Sequence, residues 1–122
     1  MKYRLLLWIM ALRFRRAIRR QPDFRTALQD IDRTIQFTTD EYKVSRYLAF
    51  RDQRLKSRRG MAENADLTLR FTTASVGFDT LWAMATGKDR NAVMKAIQDK
   101  QLAVEGDPML LMWFQKTVKY LR

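Results

Sequence analysis

The stretch from Ala65 to the last helix constrains the fold most. Leu67, Leu69 and Phe71 alternate with Thr68 and Arg70, the period of a strand with one buried face. Thr72 or Thr73 then offers a hydroxyl cap to a helix that carries Phe78, Leu81, Trp82 and Ala85 on one side, and Gly87 supplies the left-handed residue that closes it. Asp89 is placed to cap a further helix with Val93, Ala96 and Ile97 turned inward. Leu102 and Val104 make a short strand, and Asp107-Pro108 is a strong helix start, a cap followed by proline at the first helical position. The final helix presents Leu110, Leu111, Trp113, Phe114, Val118 and Leu121. Nothing in this order carries catalytic chemistry; it reads as a shaped apolar container.

The middle of the chain predicts more strands. Residues 33–39 alternate with Ile35 and Phe37 on one face, Asp40-Glu41 supplies a turn, and Val44, Arg46, Leu48 and Phe50 alternate next. Asp52-Gln53 predicts a hairpin turn. The returning residues 54–60 hold Leu55 as their only large apolar group, as an exposed edge strand would. Short turns between four strands imply an antiparallel sheet, one face on helices and the other partly wet. Arg51, Arg54, Lys56, Arg58 and Arg59 form a basic cluster that fits either a phosphate contact or a solvated edge protected against pairing.

The first segment is different. Leu5 to Leu12 is an uninterrupted apolar run of eight residues, far short of the roughly 20 that cross a bilayer. Arg13-Phe14-Arg15-Arg16 follows it where a secretory signal would place a small-residue cleavage site. A basic amphipathic helix fits better. Leu5, Trp8, Ile9 and Leu12 lie together on such a helix, but Leu6, Leu7 and Met10 make it apolar nearly all round, more than one packing face requires. Two readings stand: a helix packed on the sheet with its arginines in water, and a helix that meets a membrane or a partner. Pro22 then starts a short helix over residues 22–30 with Phe24, Ala27 and Leu28 inward.

Composition narrows the chemistry. The 122 residues contain no cysteine and no histidine, which removes thiolate nucleophiles, disulfides, the commonest metal ligands and the usual general base. An enzyme is disfavoured, and no cofactor or metal site is expected; Asp66, Asp79, Glu105 and Asp107 suit turns and caps. The net charge of +11 is concentrated early, with eight basic residues against Asp23 alone in residues 1–25. Such a chain seeks phosphates, on nucleic acid or on anionic lipid. Nucleic acid is the weaker partner, because the densest arginines adjoin Leu-Trp-Ile-Met rather than stacking platforms, and no helix-turn-helix, zinc or RNP signature is present.

Ala65-Asp66 with its alternating strand, the Phe78-Asp79-Thr80-Leu81 helix ending at Gly87-Lys88, and Leu102-Ala103-Val104-Glu105-Gly106-Asp107 before an apolar last helix resemble the SCP-2 sterol-carrier domain family over residues 30–118. Bacterial relatives in that family include accessory factors of ubiquinone biosynthesis. The resemblance implies an α+β fold: a five-stranded, mainly antiparallel sheet with helices packed on one face, here preceded by a basic amphipathic helix. It divides the chain into an N-terminal helical segment, residues 1–30, and a lipid-binding domain, residues 31–122.

The expected function is a non-catalytic carrier, cytoplasmic and peripheral to the membrane, that holds a phospholipid, fatty acyl or isoprenoid chain in an apolar cavity. The expected lining is Phe71, Phe78, Leu81, Trp82, Val93, Ile97, Leu110, Trp113 and Phe114, residues whose spacing is, one by one, more often that of plain core. Leu5, Trp8, Ile9 and Leu12 with Arg13, Arg15, Arg16, Arg19 and Arg20 would bind an anionic membrane. The alternative is a scaffold subunit of a lipid- or quinone-modifying complex, docking on a partner enzyme or on a second copy of itself.

Overall fold

A computed structural model describes residues 2–40, 44–89 and 91–121. Two helices come first, α1 (Lys2–Arg20) and α2 (Pro22–Ala27), then strands β1 (Arg33–Thr39), β2 (Ser45–Arg51), β3 (Arg54–Arg59) and β4 (Leu67–Phe71). Helices α3 (Ala74–Thr86) and α4 (Ala92–Gln98), strand β5 (Leu102–Gly106) and helix α5 (Pro108–Thr117) follow, and a 3-10 turn over Val118–Leu121 ends the described chain. The expected α+β architecture with five strands is present.

The sheet runs β3-β2-β1-β4-β5. Three of its pairings are antiparallel, but β1 and β4 lie parallel, Phe37 beside Leu69. The sheet is mainly antiparallel, as expected, and the β1–β4 pair is its one parallel pairing among the described strands. The β2–β3 hairpin occupies one side of β1, so β4 can reach only the other, and it arrives there in the same direction.

Alternation decides what is inside. Ile35 and Phe37, Leu48 and Phe50, and Leu67, Leu69 and Phe71 are all fully buried on the helix-covered face. Into that face α1 inserts Tyr3, Leu6, Leu7, Met10, Ala11, Phe14 and Ala17, and α5 inserts Leu110, Leu111 and Phe114. Phe14 is the hub, with ring centroids 5.5 Å from Phe50, 5.8 Å from Phe24 and 6.2 Å from Phe114.

Local signals place the turns. Asp52 and Gln53 both have positive φ, 55° and 58°, as a two-residue hairpin turn matched to strand twist requires. Thr73 Oγ1 accepts from the Val76 amide at 3.2 Å to cap α3, Gly87 closes it in the left-handed region, and Asp107 accepts from the Met109 amide at 2.9 Å to cap α5. The expected Asp89 cap is shifted. Helix α4 begins at Ala92, after Asn91, and Asp89 instead accepts from the Asn91 amide at 2.9 Å and from Lys95 Nζ at 2.9 Å. The Asp40-Glu41 turn lies partly outside the described residues, at Glu41.

Asp66, read in the sequence as a turn residue, forms a clasp with the turn at Gly106. The Asp66 carboxylate accepts from the Thr34 amide at 2.8 Å, and its carbonyl accepts from the Asp107 amide at 3.0 Å. One residue thus joins β1, β4 and the β5–α5 turn. A Cβ at Gly106, whose φ is +113°, would collide with the Asp66 carbonyl, so this close approach demands glycine.

Candidate functional site

Helix α1 shows two faces. The inner one is buried as described; the outer one leaves Leu5, Trp8, Ile9 and Leu12 exposed at 55%, 48%, 37% and 42%. The stripe that could have packed on the sheet therefore faces outward, and Tyr3, Leu6, Leu7, Met10 and Phe14 do the packing. Arg13, Arg15, Arg16, Arg19 and Arg20 are also exposed. The outer face thus carries an apolar stretch from Leu5 to Leu12, flanked by the exposed Lys2 and Arg4 before it and by the arginines from Arg13 onward after it.

Beside the apolar half lies a cleft of about 640 Å³. Its walls are Arg4, Leu5, Leu7 and Trp8 from α1, Val44, Ser45 and Arg46 at the start of β2, and Arg59, Gly60 and Met61 at the end of β3. Alternation explains the space. Stepping back along β2 from Phe50 and Leu48, the next residue on the helix-covered face is Arg46, and its register partner on β3 is Arg59. Neither is a bulky apolar group, so the contact between α1 and the sheet runs out at this corner.

Arg46 is half-buried and donates through Nη1 to Ser57 Oγ at 2.8 Å. Burial, then the charges of Arg59 and Arg15, hold its guanidinium below its ordinary pKa. Arg46 and Arg59 form no ion pair with a described acidic residue. Just behind Leu7 by one helical turn, Tyr3 packs edge-on against Phe71 at 5.9 Å. Its hydroxyl is buried without a hydrogen-bond partner among the described residues, and that burial pushes the phenol well above its usual pKa.

The nine residues expected to line a cavity lie in the core, at its margin or beside a second groove. Phe71, Leu81, Val93, Leu110 and Phe114 are buried in the packed core, and Phe78, Ile97 and Trp113 pack at its margin. Trp82 is 49% exposed, stacked on Phe78 at 5.8 Å, and lines a shallower groove of about 350 Å³ against Leu6, Met10 and Arg13. None of the nine borders the 640 Å³ cleft, whereas Leu5 and Trp8, expected at a membrane, do. Val44, Arg46, Arg59 and Met61 were not singled out as lining residues. The available signal was the arginine at position 46 on an otherwise apolar strand face.

Among the described residues no group of three or more acidic residues could hold a metal ion, and no helix is long and apolar enough to cross a membrane.

No curated protein sequence matches the chain. Solved structures do. The UbiJ-SCP2 ubiquinone synthesis protein is 18% identical, with a TM-score of 0.67, over 88% of this chain and 84% of that one. Sterol carrier protein 2 from Yarrowia lipolytica, in its apo form, is 16% identical, with a TM-score of 0.62, over 91% and 88%. The fold also recurs within the sec-alkylsulfatase Pisa1 from Pseudomonas sp., 24% identical with a TM-score of 0.58, where it covers 75% of this chain but 14% of that one. The sequence profile of the SCP-2 sterol transfer family matches residues 14–119, and the chain belongs to that family.

Proposed function

We propose that this protein binds a hydrophobic small molecule in the cleft beside α1 and docks on an anionic membrane through the outer face of that helix, making and breaking no bond. The cleft carries the reading. Its 640 Å³ falls within the range of ligand sites, about 300–1,000 Å³, and Leu5, Leu7, Trp8, Val44 and Met61 give it apolar walls. Membership of a sterol transfer family supports the same class of ligand. Phospholipid, fatty acyl and isoprenoid chains share the driving force, about 0.8 kcal/mol for each methylene removed from water before ordering costs are subtracted. The interior set around Phe71, Leu81 and Phe114 would extend the site only if Tyr3 and Leu7 swing aside.

Membrane docking rests on the outer face of α1. Four large apolar side chains cannot all be satisfied by water, and five arginines follow them within two and a half turns. Each cation near an anionic leaflet contributes about 1 kcal/mol. The test is sedimentation with phosphatidylcholine vesicles, with and without phosphatidylglycerol, coupled to solvent extraction of the purified protein. Pelleting only with the anionic vesicles, together with a reproducible extracted amphiphile, is the expected result. A protein that stays in the supernatant and yields no lipid would end the reading.

The exposed Leu5, Trp8, Ile9 and Leu12 also support a second reading, a scaffold subunit docking on a partner enzyme or a second copy. The ubiquinone-synthesis name of one structural neighbour points the same way. Replacing Ile9 and Leu12 by Glu, neither of which lines the cleft, would then abolish a complex and leave the lipid content untouched.

A further inference from the structure

Two arginines face each other where the cleft meets the sheet. Arg46 and Arg59 are direct register partners across β2 and β3, on the side covered by α1, and Phe37 is the β1 neighbour of Arg46. Like charges directly opposed destabilise a sheet pair. A third cation, Arg15 of α1, is close enough to act on Arg46, and Arg4 stands on the cleft wall. Only Ser57, an uncharged hydroxyl, is a side-chain hydrogen-bond partner of Arg46 among the described residues. The guanidinium has five N–H donors in a fork that matches a carboxylate or phosphate. The same cleft is walled by Leu5, Leu7, Trp8, Val44 and Met61.

Resting on the lipid-binding reading, we propose that Arg46 and Arg59 form an anion seat. The ligand is then a single-chain amphiphile ending in a carboxylate or phosphate. Its head group lies between the two guanidiniums at the sheet corner, and its chain runs out along the apolar walls toward the cleft mouth. A neutral head such as a sterol hydroxyl would bring these two cations no counter-charge. A free inorganic anion would leave the apolar walls in water. The amphiphile satisfies both halves of the cleft together.

Isothermal titration of the full chain, below micelle-forming concentrations, separates these cases. The probes are dodecyl phosphate, dodecanoate, dodecanol and inorganic phosphate. The two charged amphiphiles should bind at least about tenfold tighter than dodecanol, the scale of charge-assisted hydrogen bonds, and inorganic phosphate should bind far more weakly than dodecyl phosphate. In the Arg46→Gln/Arg59→Gln variant the preference should vanish, with the anions falling to the affinity that variant shows for dodecanol. The Arg46→Lys/Arg59→Lys variant should keep a preference, and thermal melts of both confirm folding. Equal binding of dodecanol and the anions by the unmodified chain would overturn the anion seat and leave the lipid reading standing. A preference that survives both Gln substitutions would do the same. Inorganic phosphate binding as tightly as dodecyl phosphate would overturn the amphiphile. Failure of all three chain-bearing probes to bind would overturn the seat and the lipid reading together.

Discussion

The seam between α1 and β2 is closed at one end and open at the other. At the closed end Phe14 meets Phe50 edge-on at 5.5 Å, Phe50 meets Trp113 at 5.4 Å, and Phe24 stacks on Tyr120 at 4.9 Å. At the open end the same strand offers Arg46 and the same helix offers Leu7, and about 640 Å³ lies beside them. One helix and one strand thus support both a rigid lock and a container. The difference comes from which residue fills successive positions of one strand face: Phe50 and Leu48, then Arg46. The aromatic lock buries the larger side chains, so it is the expected seat of stability, and a loose fit at the open end should not unfold the domain.

Substitutions can break or sharpen this contrast. Phe14→Ala removes the hub of the lock and should cost about 3–5 kcal/mol; a urea midpoint that barely moves would mean the lock is not where stability resides. Gly77→Ala probes the tight spot behind the open end, where an added Cβ would stand 2.9 Å from the Tyr3 ring. About 1–3 kcal/mol should be lost there, and an unchanged melting temperature would show that Tyr3 moves freely. Tyr3→Phe deletes the hydroxyl that has no partner among the described residues and should gain about 1 kcal/mol; a loss of that size would reveal a further partner for the phenol. Arg59→Gln relieves the opposed charges and should stabilise by a few tenths of a kcal/mol, about 0.2–1 at most, the gain shrinking in high salt. The smallest effect is expected for Trp8→Glu with Ile9→Glu, within about 0.5 kcal/mol. Vesicle sedimentation should nevertheless be lost in that variant, and retention of vesicle binding would remove α1 from the docking surface.

What could be read from the sequence was local. The Leu67–Phe71 strand, the Thr73 cap, Gly87, the Asp52-Gln53 turn and the Asp107-Pro108 start all depend on neighbours within a few residues, and each stands where its chemistry predicts. The parallel β1–β4 pairing was not legible, because it is settled by which edge of β1 the intervening hairpin occupies. Nor was the orientation of α1. A helix apolar on all sides has two candidate inner faces, and Phe14, placed among the arginines, decides between them by filling the aromatic core. In the sequence Arg46 is an ordinary strand charge, and Arg59 belongs to a cluster that fits either a phosphate contact or a protected edge. Only strand register brings them face to face.

The charges at both ends of α1 have a geometric consequence at a bilayer. Lys2 and Arg4 precede the Leu5–Leu12 stretch, and Arg13 to Arg20 follow it. Cations at both ends would hold a docked helix near the plane of the phosphates while its middle dips toward the acyl region. Leu5 and Trp8 belong to both that dipping stretch and the cleft wall. In that pose the container's lip meets the bilayer, and a tail could pass from one to the other along those two side chains.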